Sequence, residues 1–172
     1  MIGAPEIEVR LANQRDIDAV SALLEAQLSE HQMTPPAEAL RASIRTVIDG
    51  PRYGFILLAA GPDNVAVGVA YASSLLSFEH GGVSGWVEEL YVTPARRGQG
   101  IGSRLLERVI SIAKEFGWRA LDLEVDTNHE RAIALYRRHH FLPHSRSRFY
   151  LALTEDFLPE GNEGDEGRVI KR

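Results

Sequence analysis

The chain has 172 residues, 44% of them hydrophobic and 25% charged, which suits one globular domain with a core of its own. It carries a net charge of -5 and no cysteine. Disulfides, thiolate metal sites and covalent thiol chemistry are excluded, and a nucleic-acid partner is disfavoured, since phosphate binding calls for a basic excess. The longest apolar run, "FILLAA" from Phe55 to Ala60, is far too short to span a membrane, and "MIGAPEIEVR" lacks the layout of a signal peptide. The expectation is a cytoplasmic protein with no membrane partner.

In chain order, "IEVRLA" from Ile7 to Ala12 predicts a strand. Ile17, Val20, Leu23, Leu24 and Leu28 then recur at helical spacing. Thr34 followed by Pro35 and Pro36 reads as a cap with prolines in the first turn, opening a second helix through Leu40, Ile44, Val47 and Ile48. Gly50-Pro51 ends it. Two apolar strands flank Gly61-Pro62-Asp63-Asn64, a hairpin signal, and "SGWVEELYV" from Ser84 to Val92 predicts another strand. A helix follows with apolar Ile101, Leu105, Val109, Ile112 and Phe116, and Gly117 is expected as its left-handed cap. "RALDLEVD" predicts a strand, and Thr127 with Glu130 has capping-box spacing for a helix from Asn128 to about Arg138. A short strand near Phe141 and a last strand, Arg148 to Leu153, complete the pattern. Residues 1–158 are expected as one mixed α/β domain, and residues 159–172 as an acidic tail that frays.

The stretch "RRGQGIGS", Arg96 to Ser103, places three glycines at the mouth of a helix. Glycine costs a helix interior ~1 kcal/mol relative to alanine, so its use here calls for a reason. A strand, a glycine turn and a helix start together present backbone N–H groups with no intrahelical acceptor, at the positive end of the helix dipole. Such a place binds phosphate. Gly98, Gln99, Gly100, Ile101, Gly102 and Ser103 are the candidate backbone donors, with the Ser103 hydroxyl and the Arg97 guanidinium beside them. The stretch lacks the Gly-Lys-Ser/Thr of a P-loop and the spacing of a dinucleotide fingerprint.

The pattern that fits is Arg-x-x-Gly-x-Gly, from Arg97, Gly100 and Gly102. It resembles the pyrophosphate-binding motif of the GNAT superfamily of acetyl-CoA-dependent N-acetyltransferases. "EELYVTPARRGQGIGSRLL" is similar to that family's central strand and phosphate loop, and "LEVDTNHERAIALYRRHHF" to its next strand and helix. One departure is His140, where the family usually has glycine before the phenylalanine. The resemblance implies an α/β (α+β) fold: a mixed sheet of six to seven strands, a splayed central pair and about four helices.

It also implies roles. Backbone groups of Leu90, Tyr91 and Val92 would pair with the pantetheine arm of acetyl-CoA, the co-substrate, and Asn128 would reach the same arm. Tyr136 would protonate the departing thiolate, and Arg138 is a further candidate for a CoA phosphate. An amine nucleophile must lose a proton before attack, and a carboxylate suits that task. Glu88 ranks first, then Glu124, then Glu89. Polyamine-type acetyltransferases have an acidic pair resembling Glu88-Glu89, and N-terminal acetyltransferases of ribosomal proteins have a glutamate in a stretch similar to "LEV". The histidines lack metal-ligand spacing, so no metal is expected.

The reading is an N-acetyltransferase acting on a primary amine of a small molecule by direct attack. The alternatives are a peptide or protein N-terminal acetyltransferase and a non-catalytic CoA-binding sensor. Homodimers are common among the families resembled, and the pocket loops, residues 29–36 and 76–84, carry no motif that names the acceptor.

Overall fold

The computed structural model describes residues 7–146 together with Leu151 and Leu153. Five strands run β1 (Glu8–Leu11), β2 (Phe55–Ala60), β3 (Ala66–Ser77), β4 (Gly82–Val92) and β5 (Leu121–Leu123). The helices are α1 (Ile17–Glu30), α2 (Ala37–Asp49), α3 (Ile101–Glu115) and α4 (Glu130–Arg138). The sheet order is β1-β2-β3-β4-β5, antiparallel from β1 to β4 and parallel between β4 and β5.

Strand alternation splits the core into two layers. Ile56, Leu58, Val69 and Tyr91 face α1 and α2, where Val20, Leu23, Leu24 and Ile44 meet them. Phe55, Leu57, Ala59, Val67 and Ala70 face α3, through Ile101, Leu105, Val109 and Ile112. Leu57, Leu105 and Val109 are fully buried, and each such side chain contributes about 1.5–3 kcal/mol of burial free energy.

The predicted six to seven strands become five among the described residues. Residues 141–146 are irregular, so there is no short strand at Phe141. The predicted strand Arg148 to Leu153 lies outside the described residues, apart from Leu151 and Leu153, and so does the predicted tail. The α2 cap is also corrected. The helix begins at Ala37, with extended Pro36 at the cap position and no side-chain cap. A residue preceding proline is pushed out of the α region, so Thr34 and Pro35 cannot join the first turn.

The helix predicted from Asn128 begins at Glu130, and the Thr127 capping box does not form; His129 is the cap. The Asn128 amide is taken instead by Asp126 Oδ1 at 2.8 Å, which makes a local turn. Other turn signals hold. Gly50 is the extended residue that ends α2, and Asn64 adopts φ 55 in the β2–β3 turn. Gly117, at φ 71, closes α3 with Gly117 N–H donating to Lys114 O and Trp118 N–H to Ala113 O.

Candidate active site

The site starts from an irregularity in β4. Tyr71 pairs with Glu89 and Ala72 with Val87, so Glu88 is an extra residue with no partner on β3. Such a bulge bends its strand and resets which face each later side chain occupies. Val87 and Leu90, three apart, both pack toward α3, while Tyr91 packs toward α1. Glu89 therefore shares the α1 face with Tyr91.

The bulge also ends a pairing. β4 and β5 run together only from Gly85↔Leu121 to Val87↔Leu123. Beyond that point the pairing stops, and among the described residues Leu90, Tyr91 and Val92 have no strand beside them on the β5 side. The splayed pair implied by the resemblance is thus present. It also accounts for β5 stopping at Leu123 although the apolar alternation continues to Val125.

The glycine turn lies where β4 ends. Among the described residues, the backbone N–H groups of Gly98, Gln99, Gly100, Ile101, Gly102 and Ser103 have no acceptor; the first bond of the helix is Arg104 N–H to Gly100 O. Gly98 and Gly100 adopt φ 78 and 79, and a Cβ on either would meet nothing within 4 Å. The turn thus combines left-handed backbone with open space above it, which suits close approach by a phosphate group. The Arg97 guanidinium is engaged nearby. Nη2 donates to both carboxylate oxygens of Glu30, at 2.7 and 2.9 Å, and Nε donates to Val92 O at 2.9 Å. It also stacks over the Tyr91 ring, 5.3 Å from the centroid. Gln99 Nε2 donates to Ala95 O, so its side chain supports the turn.

Three glutamates compete for the proton-acceptor role, and their surroundings differ. Glu88, at the bulge, is exposed and accepts a hydrogen bond from Ser73 Oγ at 2.8 Å. Glu124, just past β5, is exposed. Glu89 is held under α1, where Gln27 Nε2 donates to its Oε2 at 2.6 Å. Burial, with Glu88 adding repulsion, pushes the Glu89 carboxyl up to about 7. Tyr136, on α4, is pushed up to about 12 by burial and, in second place, by the charge of Glu89. An acid poised near neutrality and a firmly protonated phenol are thus within electrostatic reach of one another.

Tyr136 is set by the end of its helix. His140 takes φ 67, His140 N–H donates to Arg137 O and Phe141 N–H to Tyr136 O. This is the chain reversal that glycine usually makes, and it packs Phe141 against Tyr136 with centroids 5.8 Å apart. His140 preserves the turn by accepting a left-handed backbone. Asn128 and Arg138 are both exposed, at opposite ends of this segment. Gln27 was not among the candidates from sequence. Its signal was there: it continues the buried stripe Val20, Leu23, Leu24 as the one amide in an apolar row. Among the described residues, no cluster of histidines and carboxylates is arranged to hold a metal ion, and no helix is long and apolar enough to cross a membrane.

Comparison with known proteins gives the family. The family model "Acetyltransferase (GNAT) family" matches residues 17–141, most of the chain. The chain belongs to that family, and its class is that of an acyltransferase enzyme. It is 27% identical, over 77% of its length, to 82% of "Putative phosphinothricin acetyltransferase YwnH" of Bacillus subtilis (strain 168). It is 36% identical to the IAA acetyltransferase of Azospirillum brasilense over 43% of this chain and 48% of that one. It is 40% identical to the thialysine N-epsilon-acetyltransferase of Bos taurus over 30% of this chain and 31% of that protein. These last two matches span less than half of the relatives' own length.

Among solved structures, an integron cassette protein from a salt-marsh metagenome superimposes with a TM-score of 0.76 at 27% identity, covering 85% of this chain and 90% of that one. The aminoglycoside N-acetyltransferase AAC(6')-Iy, solved in complex with CoA, gives 0.75 at 19% identity, over 88% of this chain and 98% of that one. The latter likeness is one of fold.

Proposed function

We propose that the protein transfers an acetyl group from acetyl-CoA to the primary amine of a small molecule, by direct attack and without an acyl-enzyme. The observation that carries this reading is the opening between β4 and β5. Among the described residues it has six N–H groups without an acceptor at one end, and at the bulge Glu89, whose charge is felt by Tyr136. Acetyl-CoA fits that layout, with pyrophosphate on the Gly98–Ser103 amides and the pantetheine arm along Leu90, Tyr91 and Val92.

Glu89 is the proton acceptor in this reading, ahead of Glu88 and Glu124. A base works best when its pKa lies near the working pH, and burial brings Glu89 there. Glu89 takes one proton from the ammonium, directly or through one water; the neutral nitrogen then bonds to the thioester carbonyl carbon and loses its second proton to solvent. The C–S bond then breaks, and Tyr136, still protonated with a pKa of about 12, donates to the sulfur. Solvent resets both groups.

Relatives named for thialysine, IAA and phosphinothricin favour a small-molecule acceptor over a peptide. The acidic pair Glu88-Glu89 at the bulge favours a cationic one. The test is thiol release from acetyl-CoA across a panel of small amines, amino acids and N-terminal peptides. Turnover confined to the small amines is expected. Turnover on peptides alone would overturn the acceptor class, and no turnover with tight acetyl-CoA binding would point to a sensor.

A further inference from the structure

We propose that Gln27 is the positioning residue of the proton acceptor: its side-chain amide holds one oxygen of Glu89 and leaves the other for the incoming amine. This rests on Glu89 being the base.

Gln27 lies on the buried stripe of α1, only 8% exposed, where an apolar side chain would pack without polar cost. Its amide is half satisfied. Nε2 donates to Glu89 Oε2 at 2.6 Å, while its own Oε1 is buried with no partner among the described residues. Glu89 Oε1 makes no hydrogen bond among the described residues and is not fully buried, so it is left open to a further partner. Packing alone gives no reason for a buried, half-satisfied amide.

A role in proton transfer does. Before transfer the amide N–H donates to the carboxylate. After transfer the proton sits on Oε1, and Oε2, now the carbonyl oxygen of the acid, still accepts from the Gln27 N–H. A glutamine donor serves both protonation states, whereas leucine serves neither.

The groups facing Glu89 are Glu88 beside it on β4, Tyr71 in register on β3, Tyr136 from α4 and Gln27 from α1. Burial and Glu88 favour the protonated acid. Gln27 is the donor that favours the carboxylate, so its removal shifts the titration of Glu89 upward.

The experiment titrates the Glu89 carboxyl by carbon-13 NMR in the wild type and in Gln27→Met, a volume-conserving change. The dependence of kcat on pH is measured alongside, with one turned-over amine. An upward shift of about one unit is expected in both readouts, with the KM for acetyl-CoA within about twofold of wild type. Gln27→Asn, which keeps the amide and shortens its reach, should shift both in the same direction and covers a poorly folding methionine variant. A lower rate at an unchanged midpoint makes Gln27 a packing residue and overturns the proposal. The underlying reading fails separately: if Glu89→Gln keeps the wild-type kcat profile, Glu89 is not the base, whatever Gln27 does.

Discussion

The proposed phosphate end of the site and its proposed proton-transfer centre are built in opposite ways. The turn from Gly98 to Ser103 is six consecutive residues whose contribution is backbone N–H groups. The centre draws Gln27 from α1, Glu89 from β4 and Tyr136 from α4, and its contribution is side chains in a shielded environment. A local backbone device tolerates changes around it but not a new side chain in its own open space. A side-chain device tolerates changes of shape but not the loss of one proton-carrying atom.

The largest expected effects fall on the centre. Glu89→Gln and Tyr136→Phe keep shape and remove a proton acceptor and a donor. Each should lower kcat by roughly 10²–10⁴-fold, with acetyl-CoA affinity nearly unchanged. Steady-state kinetics and calorimetry check both. Glu88→Gln, at an exposed carboxylate bonded to Ser73, should act chiefly by raising the amine KM.

Glu89 should also cost stability at neutral pH. Its folded pKa of about 7 lies above its ordinary value of 4.5. The folded state therefore holds the proton more tightly than the unfolded state. The penalty is absent below 4.5, grows as pH rises toward about 7, and is constant above that. Glu89→Gln should thus be more stable than wild type by roughly 3 kcal/mol at about pH 8 and nearly equal to it at about pH 4, by urea unfolding. Equal stability at both pH values would mean that the carboxyl is not shielded, and the contrast between the two regions would lose its basis.

At the phosphate end the expected effect is smaller and confined to the ligand. Gly100→Val should weaken acetyl-CoA binding by at least tenfold, about 1.4 kcal/mol, by calorimetry. Gly117→Val is the control. Gly117 shares the left-handed backbone and the open surroundings, but it lies at the far end of α3. It should lose comparable stability with no change in affinity. The smallest effect concerns His140, whose left-handed backbone costs ~1 kcal/mol that glycine would not. His140→Gly should raise the unfolding free energy by about that amount and leave the Phe141–Tyr136 contact intact, which thermal melts and activity together would show.

What was legible in the sequence follows from the same division. Helices and hairpins with strong local signals are present, because spacing and turn chemistry act over a few residues: the α1 stripe, the Gly61–Asn64 turn, Gly117 as the cap of α3. The glycine turn belongs with them, since Gly98 and Gly100 carry their purpose in their own φ angles and missing side chains. The α2 and α4 starts differ from the sequence expectation where two local rules compete, proline against cap and Asp126 against Thr127.

The order of the glutamates belonged to the tertiary structure. Alternation along β4 from Val87 would put Glu88, not Glu89, on the face that Tyr91 takes; the extra residue at the bulge shifts the register by one. Where a bulge falls depends on the partner strand, and no stretch of β4 read alone contains it. Burial and the Gln27 hydrogen bond then set Glu89 apart from its neighbour, through a residue 62 positions away in the chain. The chain by itself determined where backbone N–H groups lie bare, because that is a local property; only packing decided which carboxylate is shielded from water, because shielding is not.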